Sequence, residues 1–293
     1  MCIRDRLGDA AAHRADTLIT AGALGSHHVL ATATHGARFG FRVHACLSPQ
    51  PWTSHVEANL RCDLAAGAVL HRIPHVALAP PVMTAIALSE RRHGRVSYMI
   101  PHGGSSPIGT VGYVETAVEL ARQIDNGLMP EPDVIYVAMG SAATAVGLAI
   151  GLAASGLHIP VRAVRVTSRI VANRLRVKHL VYDTVRLLCG YDPRFPRIEE
   201  IATKLVQIVD SGTGYGAASD ATRRATELAR EDGVALDPTY TAPTVARLID
   251  DAVRGETGRA LYIHTLSSAN LAPTLANAPD VPAWARAFAD KAR

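Results

Sequence analysis

The stretch Val134-Ile-Tyr-Val-Ala-Met-Gly-Ser-Ala-Ala-Thr-Ala-Val-Gly-Leu148 decides the fold class of this 293-residue chain. It opens with an apolar run, Val134 to Ala138, and passes through the small polar turn Gly140 to Thr144 into an Ala-rich segment, Ala145 to Ala154. This succession predicts a buried strand that leads into a buried helix. No charged residue lies between Val134 and Val161, yet a membrane span is disfavoured because the turn would leave backbone groups unpaired in lipid.

The same alternation of short apolar runs and helical segments extends along the rest of the chain. The other predicted strands are Asp16 to Ala21, Phe41 to Leu47, Ala68 to Ile73, Ser97 to Ile100, Val161 to Val166 and Ala260 to His264. The other predicted helices are Val29 to Phe39, His55 to Ala66, Pro81 to His93, Gly112 to Ile124, Ile170 to Leu187, Ile198 to Val209, Ala218 to Asp232 and Ala242 to Val253. Strands that alternate with helices predict an α/β fold with mostly parallel sheets.

A division into two domains is expected near the Gly- and Pro-rich segment Pro101 to Pro107. Residues 1–100 would form a smaller α/β domain and residues 101–293 a larger one. The apolar content of 48% suffices for two such cores.

Composition excludes several classes of function. The net charge of +4 is spread thinly, without a basic run or interleaved aromatic residues, so we do not expect nucleic acid as a partner. The four cysteines are widely spaced and the N-terminus lacks an apolar signal core, which favours a cytoplasmic protein with reduced thiols. Ten of the thirteen histidines precede residue 103, but none forms an HExxH motif, and no metal site is predicted.

The turn Gly140, Ser141, Ala142, Ala143 and Thr144 is a candidate phosphate site. Its place between a strand and a helix puts backbone amides and hydroxyl groups at a helix N-terminus, where the helix dipole favours an anion. It is neither the dinucleotide motif GxGxxG nor a P-loop with its lysine. A tight turn that binds no ligand is the alternative.

Four further segments place polar side chains in loops that follow or precede predicted elements. In Gly22-Ala-Leu-Gly-Ser-His-His28, Ser26 would cap a helix, with His27 in its first turn. Tyr215 lies in the Gly-rich loop Asp210 to Gly216, and Tyr240 precedes a helix. Thr265 follows the last predicted strand. Phenols in such loops can carry protons or orient carboxylates, although a structural role is the alternative for each.

Taken in order, these segments resemble the pyridoxal-phosphate (PLP) dependent aminocyclopropane-carboxylate deaminase and D-cysteine desulfhydrase family, from about Leu7 to at least Ser268. Its motif IPxGGSNPLGALGYVEA is similar to Ile100-Pro-His-Gly-Gly-Ser-Ser-Pro-Ile-Gly-Thr-Val-Gly-Tyr-Val-Glu-Thr116. Its phosphate loop GSGGTxAGL resembles Gly140 to Leu148. Its Ser-Asn-His, GYG, DPVYTGK and HTGG motifs correspond to segments that begin at Ser26, Gly214, Asp237 and His264.

The resemblance implies a two-domain, three-layer αβα fold of the tryptophan synthase β-like type, a small amino-acid substrate and a homodimer. It implies that Ser26 faces the substrate carboxylate or assists proton transfer, that Tyr215 and Tyr240 line the substrate side, and that Thr265 meets the pyridine nitrogen. The Gly140 to Thr144 loop would hold the phosphate. A neutral partner for the ring nitrogen suits β-elimination more than transamination.

This chain departs from the family pattern at several of these positions. His27 stands where the family has an asparagine beside the cofactor hydroxyl; imidazole can also donate there. Ala142 and Ala143 replace two glycines of the phosphate loop, where a Cβ can oppose positive φ or close phosphate approach. Leu266 and Ser267 replace another glycine pair.

The lysine that PLP enzymes bind to their cofactor is the largest departure. The family supplies it from GGNKxRKL, and alignment places that lysine just before Met1. The lysines of this chain are Lys178, Lys204 and Lys291, none in such a motif. We therefore expect an N-terminally incomplete chain that is impaired as a deaminase or lyase. A serine/threonine dehydratase or racemase, and a lysine-less protein that binds PLP or an amino acid without catalysis, are the alternatives.

Overall fold

The computed structural model describes residues 3–289, so that Cys2 and Lys291 lie outside the described residues. The chain divides into two compact units. The central unit comprises Ser105–Ser267, and the N-terminal unit comprises Ile3–Gly104 together with residues 268–289. A single break near residue 100 would have left this C-terminal stretch with the second half of the chain. It lies instead with the first half, where Arg61 donates to the carbonyls of Leu275 and Ala278.

Twelve α-helices and eight strands are described between residues 3 and 289. The helices are α1 (Ile3–Ala12), α2 (His27–Arg38), α3 (Ser54–Ala65), α4 (Ala79–Arg92), α5 (Pro107–Asp125), α6 (Ala143–Ala154), α7 (Arg174–Tyr191), α8 (Glu199–Leu205), α9 (Asp220–Glu231), α10 (Thr241–Val253), α11 (Ala272–Ala276) and α12 (Trp284–Ala289). The strands are β1 (Thr17–Ala23), β2 (Arg42–Ser48), β3 (Val69–Arg72), β4 (Ser97–Ile100), β5 (Val134–Met139), β6 (Val161–Arg165), β7 (Val206–Asp210) and β8 (Ala260–Tyr262).

The N-terminal unit is built on a four-stranded parallel sheet in the order β3-β2-β1-β4. Strand β1 lies inside the sheet and is buried along its whole length, as expected for a parallel strand covered on both faces. On one face, Ile19 and Cys46 pack with Met83 and Ile86 of α4. On the other face, Leu18 and Val43 pack with residues of α1 and α2. The unit is therefore three-layered.

The central unit repeats this architecture with a parallel sheet in the order β7-β6-β5-β8. Helix α6 forms the centre of the core on one face, and ten of its residues are buried. Gly147 allows α6 to approach α5, because a Cβ there would come 2.7 Å from the Thr110 carbonyl oxygen. Leu248 of α10 packs against the other face of the sheet. The predicted α/β class with parallel sheets is confirmed.

The largest error of the sequence prediction concerns Ile198 to Val209, which was predicted as a single helix. Helix α8 ends at Leu205, and Val206–Asp210 forms edge strand β7 beside β6. The β-branched residues Val206, Ile208 and Val209 favour a strand. The hydrophobic periodicity of this segment could not show that its last residues pair with β6.

No helix among residues 3–289 combines the length and apolarity that a membrane crossing requires. The apolar segment around α6 is instead the buried strand, turn and helix that the sequence predicted.

Candidate functional site

The Gly140 to Thr144 turn connects β5 to α6 in the central unit, at the carboxyl edge of the parallel sheet. Ala142 is the N-cap residue of α6 and has φ 84°, in the left-handed region. That conformation costs an L-residue about 1–2 kcal/mol. The sequence suggested that a Cβ at this position could prevent a positive φ. The turn nevertheless adopts a positive φ at Ala142.

Helix α6 begins without a side-chain cap of its own and without an acidic residue in its first turn. Its amide groups and positive dipole end therefore face the turn with no built-in anion. Ser141 and Thr144 add hydroxyl groups, and both side chains are partly accessible. This donor set fits a phosphate group, which favours backbone amides and hydroxyls at a helix N-terminus.

Ser105 supports this turn, a role that sequence reasoning missed. Its hydroxyl donates to Oγ of Ser141 over 2.7 Å and accepts from the Ala143 amide at 3.3 Å. The Ser105 carbonyl in turn accepts from the Arg176 guanidinium at 2.6 Å. The segment around Ser105 stood out only as a family-like motif, and no local pattern shows that it meets a turn 36 residues further along the chain.

Tyr215 and Tyr240, both predicted as site residues, are in contact. Their hydroxyl oxygens are 2.9 Å apart, and their rings meet edge to face at 5.9 Å. Burial raises the pKa of both phenols, so both keep their protons at neutral pH. The Tyr240 ring also lies against the Gly140 to Thr144 turn, because a Cβ on Gly140 would come 3.2 Å from that ring.

Asp237 fixes the backbone that presents Tyr240. One carboxylate oxygen accepts from the amides of Thr239 and Tyr240 at 2.9 and 2.7 Å, and the other accepts from the amide and hydroxyl of Thr241. The segment was recognised in the sequence, but the capping role of its aspartate was not. This arrangement fixes the backbone at the start of α10, which carries the Tyr240 side chain.

Thr265 lies three residues beyond the end of β8, is half-buried, and follows the strand that pairs in parallel with β5. The Gly140 turn and Thr265 therefore extend from the same edge of neighbouring strands. The central unit thus collects seven predicted site residues at this edge or against it: Gly140, Ser141, Ala142, Ala143, Thr144, Tyr240 and Thr265. Tyr215 joins them through Tyr240.

Ser26 caps α2 in the N-terminal unit, as the sequence predicted. Its hydroxyl accepts from the Val29 amide at 3.4 Å, and its side chain is almost fully buried. Gly22 is required here because a Cβ would lie 2.7 Å from Oγ of Ser26. Gln50 accepts from the Gly25 amide and Asn59 donates to the Gly25 carbonyl, over 3.1 and 2.9 Å. Sequence reasoning identified neither of these two residues.

The two adjacent histidines of this turn have different surroundings. Nε2 of His27 lies 2.8 Å from Nε2 of His55, which the sequence did not single out. His28 is buried, and its Nε2 lies 2.7 Å from the Thr20 hydroxyl. Burial lowers the pKa of His28 well below its usual value, and the Arg6 charge lowers it further. Among residues 3–289, no three His, Cys, Asp or Glu side chains are grouped as metal ligands would be.

Comparison with known proteins adds a family to this geometry. The family described as pyridoxal-phosphate dependent enzyme matches residues 3–265. Nocardicin C-9' epimerase of Nocardia uniformis subsp. tsuyamanensis is 32% identical over 267 residues, 89% of this chain and 79% of the relative. D-cysteine desulfhydrase of Salmonella paratyphi B is 36% identical over 272 residues, 88% of this chain and 78% of the relative.

Solved structures resemble the chain as well. The crystal structure of an ACC deaminase homologue has a TM-score of 0.71 and 28% identity, and the match covers 90% of this chain and 78% of that one. A pyridoxal 5'-phosphate-dependent aspartate racemase shares the fold, with a TM-score of 0.56 at 14% identity.

Proposed function

This chain belongs to the pyridoxal-phosphate dependent enzyme family, and on that premise we propose that it is a deaminase or lyase of a small amino acid. The substrate would be of the D-cysteine or aminocyclopropane-carboxylate type, converted to a keto acid and ammonia by α,β-elimination or ring opening. The observation that carries the proposal is the turn at Gly140 to Thr144, with the Tyr240 ring against it and the Tyr215 hydroxyl bonded to Tyr240. The 36% identity to a D-cysteine desulfhydrase supports the substrate class.

PLP is the cofactor of this family, and the residues of the central unit fit it. The turn at Gly140 to Thr144 would hold its phosphate through amides and hydroxyls, and Thr265 would meet its ring nitrogen. When bound, PLP supplies an electron sink for the electron pair released at the α-carbon of an amino acid. An uncharged hydroxyl partner such as Thr265 moderates that sink, which suits elimination.

Tyr215 and Tyr240 would handle the protons of the reaction. Of two hydrogen-bonded phenols, one hydroxyl donates to the other, and the second keeps a proton that it can donate elsewhere. Burial raises the pKa of both phenols, so both keep their protons near neutral pH and the pair can donate a hydrogen bond to the substrate. From the family resemblance, Ser26 would hold the substrate carboxylate or assist proton transfer.

Neither described lysine has the surroundings of a cofactor-binding amine. Lys178 and Lys204 are exposed on α7 and α8, and the Lys178 ammonium lies over the Tyr182 ring. We propose that the chain of this sequence holds PLP without a covalent bond from these two residues and is impaired in turnover. A homodimer remains part of the proposal from the family resemblance, and light scattering of the purified chain would test it.

The test combines PLP binding with turnover. The purified chain, and a version extended by an added N-terminal Gly-Gly-Asn-Lys segment, are dialysed against PLP and then assayed with D-cysteine, aminocyclopropane carboxylate and L-serine. We expect both forms to bind PLP and the extended form to release keto acid from one of the first two substrates. Tyr240→Phe should lower kcat about 10²-fold or more, whereas the exposed control Tyr182→Phe should not.

Absence of PLP binding in both forms would overturn the proposal. A specific observation favours one other activity: the relative from Nocardia is an epimerase. Inversion of an amino acid's α-carbon without release of keto acid would establish that second candidate, and chiral chromatography of the same reaction mixtures detects it. PLP binding without any turnover in the extended form would favour a non-catalytic binding protein.

A further inference from the structure

Arg176, in the first turn of α7, reaches the segment that supports the Gly140 to Thr144 turn. Its backbone amide donates at 2.9 Å to the side chain of Asn173, the N-cap residue of α7. Its half-buried side chain donates to the carbonyl oxygen of Ser105 at 2.6 Å, across 71 positions of the chain. The guanidinium group is therefore held in place by a charge-assisted hydrogen bond.

Ser105 joins this guanidinium group to the turn itself. Its Oγ lies 2.7 Å from Oγ of Ser141 and accepts from the Ala143 amide at 3.3 Å. The next two amides of α6, those of Thr144 and Ala145, donate to no group among residues 3–289. The turn thus keeps free donors for an anion, beside the serine whose carbonyl accepts from the guanidinium.

The charges around this pair of segments are not balanced within the protein. The first turns of α6 and α7 contain no acidic residue. No carboxylate among residues 3–289 pairs with Arg176, whereas Arg165 and Arg169 both pair with Asp210. The Ser105 carbonyl takes one N–H group of the guanidinium, which has further N–H donors. A positive charge therefore lies one residue away from a turn that has free amides and no anion.

We propose that Arg176 is a positioning residue of the phosphate site, which holds Ser105 against the turn and adds a positive charge to it. The proposal rests on the proposed function, in which this turn holds the phosphate of PLP. A phosphate monoester carries about −1.5 to −2 charges at pH 7, whereas a helix N-terminus supplies only about +0.5. The dipole of α6 alone would leave most of that charge uncompensated, and Arg176 compensates a full unit of it.

This role predicts a preference for the doubly ionised phosphate. The second ionisation of a phosphate monoester has a pKa of about 6, and a nearby positive charge lowers the pKa of an acid. The phosphate of PLP bound at the turn should therefore have a pKa below about 6. A residue that only held Ser105 in place would support the turn without lowering this pKa.

Phosphorus NMR of PLP bound to the full chain measures this pKa, and equilibrium dialysis measures the affinity. Arg176→Gln should raise the pKa of the bound phosphate toward about 6 and lower the affinity for PLP about tenfold or more. Arg176→Lys retains the charge and should keep the wild-type pKa, with a smaller loss of affinity. The control Arg174→Gln, at an exposed arginine two positions earlier, should change neither quantity.

Ser105→Ala separates the support of the turn from the charge. It removes the hydroxyl that contacts Ser141 and Ala143 but leaves the carbonyl that holds Arg176. The affinity for PLP should fall while the pKa of the bound phosphate keeps its wild-type value. With folding checked by circular dichroism, an unchanged pKa in Arg176→Gln or an equal rise in Arg174→Gln would overturn the proposal. A raised pKa in Arg176→Lys would overturn it as well.

Inorganic phosphate separates the failure of this inference from the failure of the proposed function. Its binding is measured at about pH 8 by the broadening of its phosphorus signal, and it requires only the turn. Phosphate binding that weakens in Arg176→Gln but not in Arg174→Gln, in a chain that binds no PLP, would support the role of Arg176 while overturning the proposed function. Equally strong PLP binding by the wild type and Arg176→Gln would overturn the inference and leave the proposed function standing.

Discussion

At the scale of single residues, the most informative position is Ala142. The family pattern has glycine in this turn, and the chain keeps the left-handed conformation with a Cβ attached. Arg14, at φ 55°, is the other described non-glycine residue with positive φ, and it lies on the surface after α1. Both residues have a positive φ, but only Ala142 belongs to the candidate phosphate site. They form a matched pair for separating strain from ligand binding.

We expect Ala142→Gly to increase the free energy of unfolding by about 0.5–1 kcal/mol. Relief of the left-handed strain outweighs the greater flexibility of glycine in the unfolded chain. Arg14→Gly should stabilise the chain by a similar amount. Urea unfolding measures both, and equilibrium dialysis should show tighter PLP binding for Ala142→Gly only. A loss of stability in Ala142→Gly would contradict the strain at this residue.

At the scale of elements, a buried carboxylate joins three pieces of the central unit. Asp251 of α10, with an exposed fraction of 0%, accepts from the Tyr136 hydroxyl of β5 at 2.7 Å and from Arg162 of β6 at 3.0 Å. Arg247 and Arg254 of its own helix complete the set at 2.8 and 2.7 Å. These bonds hold α10, and with it Tyr240 at its N-terminus, against the sheet. The carboxylate lies on the face opposite α6.

Asp251→Asn should lower the free energy of unfolding by about 3 kcal/mol, since removal of one partner leaves buried cationic and hydroxyl groups uncompensated. Asp250→Asn is the control: Asp250 is an exposed neighbour that pairs with Arg254 at 2.8 Å, and such pairs contribute about 0–1 kcal/mol. Chemical unfolding followed by circular dichroism measures both variants. Equal effects of the two substitutions would show that the carboxylate does not stabilise the packing of α10.

At the scale of the whole molecule, buried histidines connect stability to pH. His44 of β2 stacks on His71 of β3 at 5.1 Å, and Arg42 donates to Nε2 of His44 at 3.2 Å. Glu90 of α4 faces Nε2 of His44 at 3.5 Å and is also paired with Arg95. Burial lowers the pKa of His44 to about 4, assisted by His71, and burial also lowers the pKa of His71. The folded chain thus favours neutral imidazoles at these sites.

The sign of the pH dependence follows. A histidine in the unfolded chain has a pKa near 6.5, whereas the pKa of His44 in the folded chain is about 4. Between these two pH values His44 is protonated in the unfolded chain but neutral in the folded chain. The free energy of unfolding should therefore decrease between these two values. Urea unfolding at several pH values should show a shallower decrease for His44→Gln than for the wild type. The exposed control His35→Gln should retain the full slope, and an identical slope in His44→Gln would exclude His44 as its source.

Local pattern was sufficient for much of this protein. Strands β1, β2, β5 and β6 are covered on both faces and appear as apolar runs between helices, so hydrophobic periodicity located them. The Ser26 cap and the turn before α6 were recognised for the same reason, because capping and glycine turns depend on neighbouring residues. Edge strand β7 was missed, since its apolar run is short and continuous with a helical pattern.

By itself, the sequence determined the α/β class, the family and the positions of the segments that surround the candidate site. Only the tertiary structure decided that Ala142 is left-handed, that Ser105 supports the turn at Ser141, and that His55 lies against His27. It also decided that residues 268–289 lie with the N-terminal unit. The physical reason is range: propensity and periodicity act within one or two helical turns, whereas these contacts join residues tens to hundreds of positions apart. Only the folded chain brings them within hydrogen-bond distance.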